Sequence, residues 1–134
     1  MLNKKSLYRT FQKSLKQISP FLSDKGDLLE VGSYCGFFLD TFTKKYKSWN
    51  YIGIEPSKWA AEYARSQLNI NTRTGTLEDN IKDLSSNYDA VVAWDVLAHL
   101  SDPSAFLTQT NSIMKQNGVF CFSTLDIDNW FPKI

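Results

Sequence analysis

The chain has 134 residues, the length of one ordinary domain. With 43% hydrophobic and 22% charged residues it is not disordered, collagenous or coiled-coil material, and a net charge of +1 gives no global drive towards nucleic acid. Two cysteines, Cys35 and Cys121, exclude a disulfide framework and fit a reducing, cytoplasmic setting; no apolar run is long enough for a membrane span or a signal peptide.

The charge is unevenly spread. Residues 1–19 carry Lys4, Lys5, Arg9, Lys13 and Lys16 with no acid, a balance of +5, which leaves ten bases and fourteen acids, −4, for the rest. Leu7, Phe11, Leu15 and Ile18 recur at helical spacing, so residues 1–20 read as a basic amphipathic helix ended by Pro20. Such a helix either packs its stripe on the domain and solvates its lysines, or lies on a membrane or on RNA. Residues 21–134 form the domain proper. Asp27–Gly32 reads as a buried strand closed by glycine, Phe37–Lys47 as a helix and Tyr51–Glu55 as a second strand. Pro56 stands near the first turn of a helix running from Ser57 to Leu68, whose Trp59 and Tyr63 belong to the core or pack beside a bound ligand. Thr72–Thr76 is a weaker strand and Asp89–Trp94 the most apolar one. A helix over Pro103–Lys115, a turn at Asn117-Gly118 and a fifth strand over Val119–Thr124 follow. Strands buried on both faces and alternating with helices predict an α/β fold. It is a doubly wound, mostly parallel, Rossmann-like sheet of about five strands with helices on both faces.

Ligands of such sheets lie beyond the carboxyl ends of the strands, where strand order reverses. After the first strand stands Glu30-Val31-Gly32-Ser33-Tyr34-Cys35-Gly36, a turn that brings backbone N–H groups to a polar ligand. Glu55 ends the second strand, where a carboxylate accepts hydrogen bonds from both hydroxyls of a ribose. A phosphate loop of the Gly-Lys-Ser/Thr kind is absent, and Tyr34 occupies the place of the middle glycine of a dinucleotide fingerprint, which argues against a pyrophosphate lying on that backbone.

Four blocks, LLEVGSYCGFFLD, YIGIEPSKWAAEYAR, YDAVVAWDVLAHLSDPSAFL and MKQNGVFCFSTLDIDNWF, together resemble the class I S-adenosylmethionine-dependent methyltransferases, from about residue 26 to residue 131. The resemblance implies S-adenosylmethionine as cofactor. Glu30, Gly32, Ser33, Tyr34 and Gly36 would hold its methionine part and Glu55 its ribose. Pro56, Ser57, Thr76 and Leu77 would line the adenine, and Trp94 and Asp95 would stand where methionine and acceptor meet. Tyr34 departs from the family's usual glycine, and Ala98 stands where relatives often carry an acid before His-Leu. The resemblance also implies a sheet continued by antiparallel strands that this chain lacks, so the substrate half is expected to be shortened.

The expected reaction is methyl transfer to a small-molecule acceptor by in-line displacement. An alcohol acceptor needs a general base, for which Asp95, His99, Asp126 and Asp128 are candidates; each is also readily structural. Trp94 and Tyr34 could wall the cofactor pocket and attract the sulfonium. No metal is expected, and no nucleic-acid partner, because the domain outside its first helix is acidic. Two alternatives stand beside the enzyme reading: a cofactor-binding module without independent catalysis, completed by an oligomer or partner, and a dinucleotide reductase.

Overall fold

The computed structural model describes residues 3–85 and 87–125. In chain order the elements are α1 (Lys4–Ile18), β1 (Gly26–Val31), α2 (Phe37–Lys45), β2 (Trp49–Glu55), α3 (Lys58–Leu68), β3 (Thr72–Thr74), α4 (Leu77–Asn80), β4 (Tyr88–Trp94), α5 (Pro103–Ser112) and β5 (Met114–Ser123), with short 3-10 turns at Ser19–Phe21 and Leu97–His99.

Local chemistry sets most of these boundaries. Helix α1 starts where the Asn3 side chain accepts the Ser6 N–H, and it gives way to the 3-10 turn at Pro20, which cannot continue the ladder. Ser57 caps α3 by accepting the Ala60 N–H, so Pro56 lies just outside the helix rather than in its first turn. That helix ends at Asn69 in the left-handed conformation, a common stop. Asp102 caps α5 through the Ala105 N–H, with Pro103 as its first residue.

All five strands pair in parallel in the order β3-β2-β1-β4-β5, so the order reverses between β1 and β4. Alternate residues of the central strands feed two cores. Leu28, Ala90 and Val92 face α1, α2 and α3 with Leu15, Ile18, Phe38 and Phe42. Leu29, Val31, Val91 and Ala93 face α4 and α5 with Leu77 and Phe106. The α1 stripe therefore packs on the domain, and Tyr8 adds a hydrogen bond from its hydroxyl to Asp40 Oδ2 at 2.6 Å. Trp59 does not join either core: it is 59% exposed, while its neighbour Tyr63 is half-buried.

The last strand departs from the sequence reading. Helix α5 stops at Ser112, and Met114 already pairs with Tyr88. From Tyr88↔Met114 to Ala90↔Val119, five steps along β5 match two along β4, so the Asn117-Gly118 segment is a bulge inside the strand rather than a turn before it. No helix among the described residues is long and apolar enough to cross a membrane.

Candidate active site

The loop after β1 is built from unusual backbone. Gly32 has φ 73°, Tyr34 φ 49° and Gly36 φ 86°. Gly32 and Ser33 both donate their N–H to the Ile54 carbonyl, at 2.8 and 3.0 Å, which ties the loop to the end of β2. Glycine at 32 is required twice: by its φ, and because a Cβ there would stand 2.5 Å from Val96 Cγ2, in the segment after β4. The loops after β1 and β4 are thus in contact at the point of strand-order reversal.

Glu55 joins the second pair of loops. Its Oε2 accepts the Tyr34 N–H at 2.8 Å and its Oε1 the Ser57 N–H at 2.9 Å. These bonds orient the carboxylate at the carboxyl end of β2 and leave each oxygen one lone pair. They also explain how a tyrosine, 42% exposed, occupies a left-handed position, for the bond from its own N–H holds that conformation. Its ring centroid lies 6.5 Å from that of Trp59.

Beneath this loop Glu30 is buried, and its Oε2 has no hydrogen-bond partner among the described residues. Burial pushes its carboxyl well above the usual range, and the nearby Glu55 adds to the effect. Cys35 is also buried, and burial followed by the Glu55 charge raises its thiol pKa. That is the opposite of an activated nucleophile.

The end of β4 repeats the pattern. Asp95 has φ 55°, and its N–H is shared between the carbonyl and the Oγ of Ser123 at 3.1 and 3.0 Å. The Ser123 hydroxyl donates back to Asp95 Oδ1 at 3.2 Å. Of the three non-glycine residues with positive φ among the described residues, Asn69 ends a helix, while Tyr34 and Asp95 follow the two strands that flank the reversal point. Unusual backbone concentrates where a ligand would sit. Trp94 packs on Phe38, its indole nitrogen buried and without a hydrogen-bond partner among the described residues.

Between these loops and α5 lies a cleft of about 270 Å³ whose lining includes Gly32, Pro56, Thr76, Leu77, Val96 and Phe106. Thr76 and Asp79 form one reciprocal cap at the start of α4, which fixes the Thr76–Leu77 wall. A broader depression of about 780 Å³ over the edge strand β3 contains Arg65 and Arg73, but each already donates to a backbone carbonyl, of Thr72 and Asp83 respectively.

The fold thus gathers Glu30, Gly32, Ser33, Tyr34, Gly36, Glu55, Pro56, Ser57, Thr76, Leu77, Trp94 and Asp95 at one end of the sheet, on the ends of β1, β2 and β4 and the segment after β3. His99 is exposed in the 3-10 turn that follows Asp95. Asp126 and Asp128 lie outside the described residues. Sequence reasoning missed Ser123 and Val96, whose roles depend on contacts across the sheet. Among the described residues no three His, Cys, Asp or Glu side chains gather as metal ligands.

Comparison with known proteins adds the following. A family model described as "Methyltransferase domain" matches residues 4–133, a span that includes α1. A ubiquinone biosynthesis O-methyltransferase of Rhodopseudomonas palustris is 31% identical over 127 residues, covering 91% of this chain and 47% of the relative. One of the same description from Nitrobacter winogradskyi is 31% identical over 110 residues, covering 77% and 40%. The chain therefore spans about half the length of the curated relatives it matches. Among solved structures, a plantazolicin methyltransferase in complex with SAH superposes with a TM-score of 0.74 at 21% identity, covering 93% of this chain and 53% of that one. Coclaurine N-methyltransferase, bound to N-methylheliamine and SAH, superposes with a TM-score of 0.73 at 16% identity, covering 92% and 40%. These share the fold.

Proposed function

The chain belongs to the methyltransferase-domain family, and from that premise we propose that it binds S-adenosylmethionine across the ends of β1, β2 and β4 and directs methyl transfer to a small-molecule acceptor. The observation that carries this reading is the Glu55 carboxylate, oriented by two backbone N–H groups and still able to accept one more bond on each oxygen. Two adjacent hydroxyls of a ribose match that pair of acceptors. The donor set fits in other respects too. The Gly32–Gly36 loop allows close backbone approach, and the 270 Å³ cleft beside Pro56, Thr76 and Leu77 suits the adenine.

In this reading Gly32, Ser33, Tyr34 and Gly36 hold the methionine part, and Glu30 supports the loop from below. Pro56, Ser57, Thr76 and Leu77 line the adenine, and Trp94 and Asp95 face both cofactor and acceptor. The bound cofactor supplies a methyl group on a sulfonium whose leaving group, a thioether, needs no protonation. The protein's share is to align the acceptor with that methyl and exclude water, an effect that reaches roughly 7–11 kcal/mol in well-oriented reactions. Relatives named as O-methyltransferases support an oxygen acceptor. A hydroxyl must then lose its proton to a base within hydrogen-bond reach. Asp95, held by Ser123, is the best-oriented candidate among the described residues; exposed His99 is the second, and Asp126 and Asp128 remain candidates by sequence.

Calorimetric titration of the whole chain with S-adenosylmethionine tests the proposal. Binding is expected, weakened about 10–100-fold by Glu55→Gln, since a hydrogen bond to a charged group contributes ~1.5–3 kcal/mol. Folded protein that ignores the cofactor, or prefers NADH, overturns it. The second reading, a cofactor-binding module that needs further chain or a partner to turn over, is favoured by the coverage of about half of each relative. Cofactor binding without methyl transfer to any small phenol or alcohol would support that alternative.

A further inference from the structure

Helix α1 carries two stripes of the same spacing. Leu7, Phe11, Leu15 and Ile18 face the domain, where Leu15 and Ile18 are buried and Leu7 and Phe11 pack against buried clusters. Lys5, Arg9, Lys13 and Lys16 repeat the intervals of four, four and three, displaced by two residues. At 100° per residue that displacement is roughly 200°, so the four cations form a straight row about 16 Å long on the outward side. All four are exposed, and among the described residues none has an ion-pair or hydrogen-bonded side-chain partner. The carboxylate that α1 does meet, Asp40, is bonded by Tyr8 and paired with Lys44 at 2.9 Å. Just beyond the helix, Phe21 is 66% exposed.

We propose that this row docks the domain on an anionic lipid surface. Four cations on one straight, convex edge meet a plane of phosphates simultaneously; Gln12 shares that face, but the row has no aromatic residue to stack a base. Because the apolar stripe is committed to the core, the helix does not insert as an amphipathic anchor; attraction is electrostatic, with exposed Phe21 just beyond its end. The first turns of α1 lie beside the start of α2, which follows the Gly32–Gly36 loop, and beside the middle of α3, with the Tyr8 ring 5.2 Å from that of Phe37 and Lys4 Nζ 5.5 Å from the Tyr63 ring. A docked domain would hold its candidate site close to the lipid surface.

The test is co-sedimentation of the whole chain with vesicles of phosphatidylcholine alone and of phosphatidylcholine with phosphatidylglycerol. Expected is binding to the anionic vesicles only, lost between about 0.1 and about 0.5 M salt as the Debye length shrinks. Each cation near such a surface is worth about a fivefold change in partitioning, so Lys5→Gln/Arg9→Gln/Lys13→Gln/Lys16→Gln should lower it several-hundred-fold. The substitutions lie on a solvated stripe, so thermal melting and cofactor titration should match wild type; the double variant Lys13→Gln/Lys16→Gln, expected to lose about 25-fold, serves if the quadruple one folds poorly. Equal binding to neutral vesicles, no binding at low salt, or unchanged binding by the variants overturns the proposal. Tighter binding to RNA than to vesicles at the same salt does so as well.

Discussion

Gly32→Ala isolates the contact on which the crevice depends. The new methyl group would enter a backbone at φ 73° and stand 2.5 Å from Val96 Cγ2. An L-residue in the left-handed region costs ~1–2 kcal/mol, and overpacking typically ~1–3 kcal/mol. Reduced freedom of the unfolded chain returns ~0.4–1 kcal/mol. The net loss should be about 2–4 kcal/mol, read as a lowered urea midpoint with unchanged slope. The two components separate in a double-mutant cycle. Val96→Ala removes the obstructing methyl groups, so the steric part of the Gly32→Ala cost should vanish in that background while the backbone part remains, a favourable coupling of about 1–3 kcal/mol. Urea melts of the four proteins supply the cycle. A Gly32→Ala cost below about 0.5 kcal/mol, or zero coupling to Val96, would refute the contact between the two loops.

Two further predictions concern protons and helix α1. Burial, with the Glu55 charge second, raises the Glu30 carboxyl, so the folded protein keeps a proton that the unfolded chain releases near pH ~4.3. Stability attributable to Glu30 is therefore fully present below that pH and is lost as pH rises towards the raised folded value, by up to ~1.4 kcal/mol per pH unit. Thermal melts of Glu30→Gln should show a flatter decline as pH rises above the ordinary carboxylate range, and parallel curves for the two proteins would contradict the assignment. Tyr8→Phe deletes the donor to Asp40 but leaves Lys44 in place, so a loss of about 1–2 kcal/mol is expected by urea denaturation, with faster hydrogen exchange in α1. Wild-type exchange in that helix would count against Tyr8 as its tether.

The parallel α/β plan, the loop at the end of β1 and the acid closing β2 are legible in the residues, because glycines at 32 and 36 and the acid at 55 are local signals at the ends of apolar runs. The short helix α4 is absent from the sequence reading, which runs a strand to Thr76, although Thr76-Leu77-Glu78-Asp79 is a capping pattern that carries its own hydrogen bonds. Other features are tertiary and leave no local trace. The bulge that brings Met114 into the sheet arises where Tyr88 finds a partner, against the turn preference of Asn117-Gly118. Tyr34 shows the same limit. In sequence it looks like a damaged glycine position. In the fold it keeps the glycine conformation, because a carboxylate twenty-one residues away takes its N–H.

The pairing of β1 with β4 sets Leu28 beside Ala90, sixty-two positions apart, whereas β1 and β2 pair at twenty-three. Pairing across so long an intervening chain must overcome the largest closure entropy in the sheet, and such contacts tend to form late in folding. The candidate crevice lies at that junction, so it is complete only once β4 has paired with β1. A molecule bound there would favour the finished fold over every partly folded form and raise the apparent stability of the whole domain in proportion to the logarithm of its concentration once the site is near saturation.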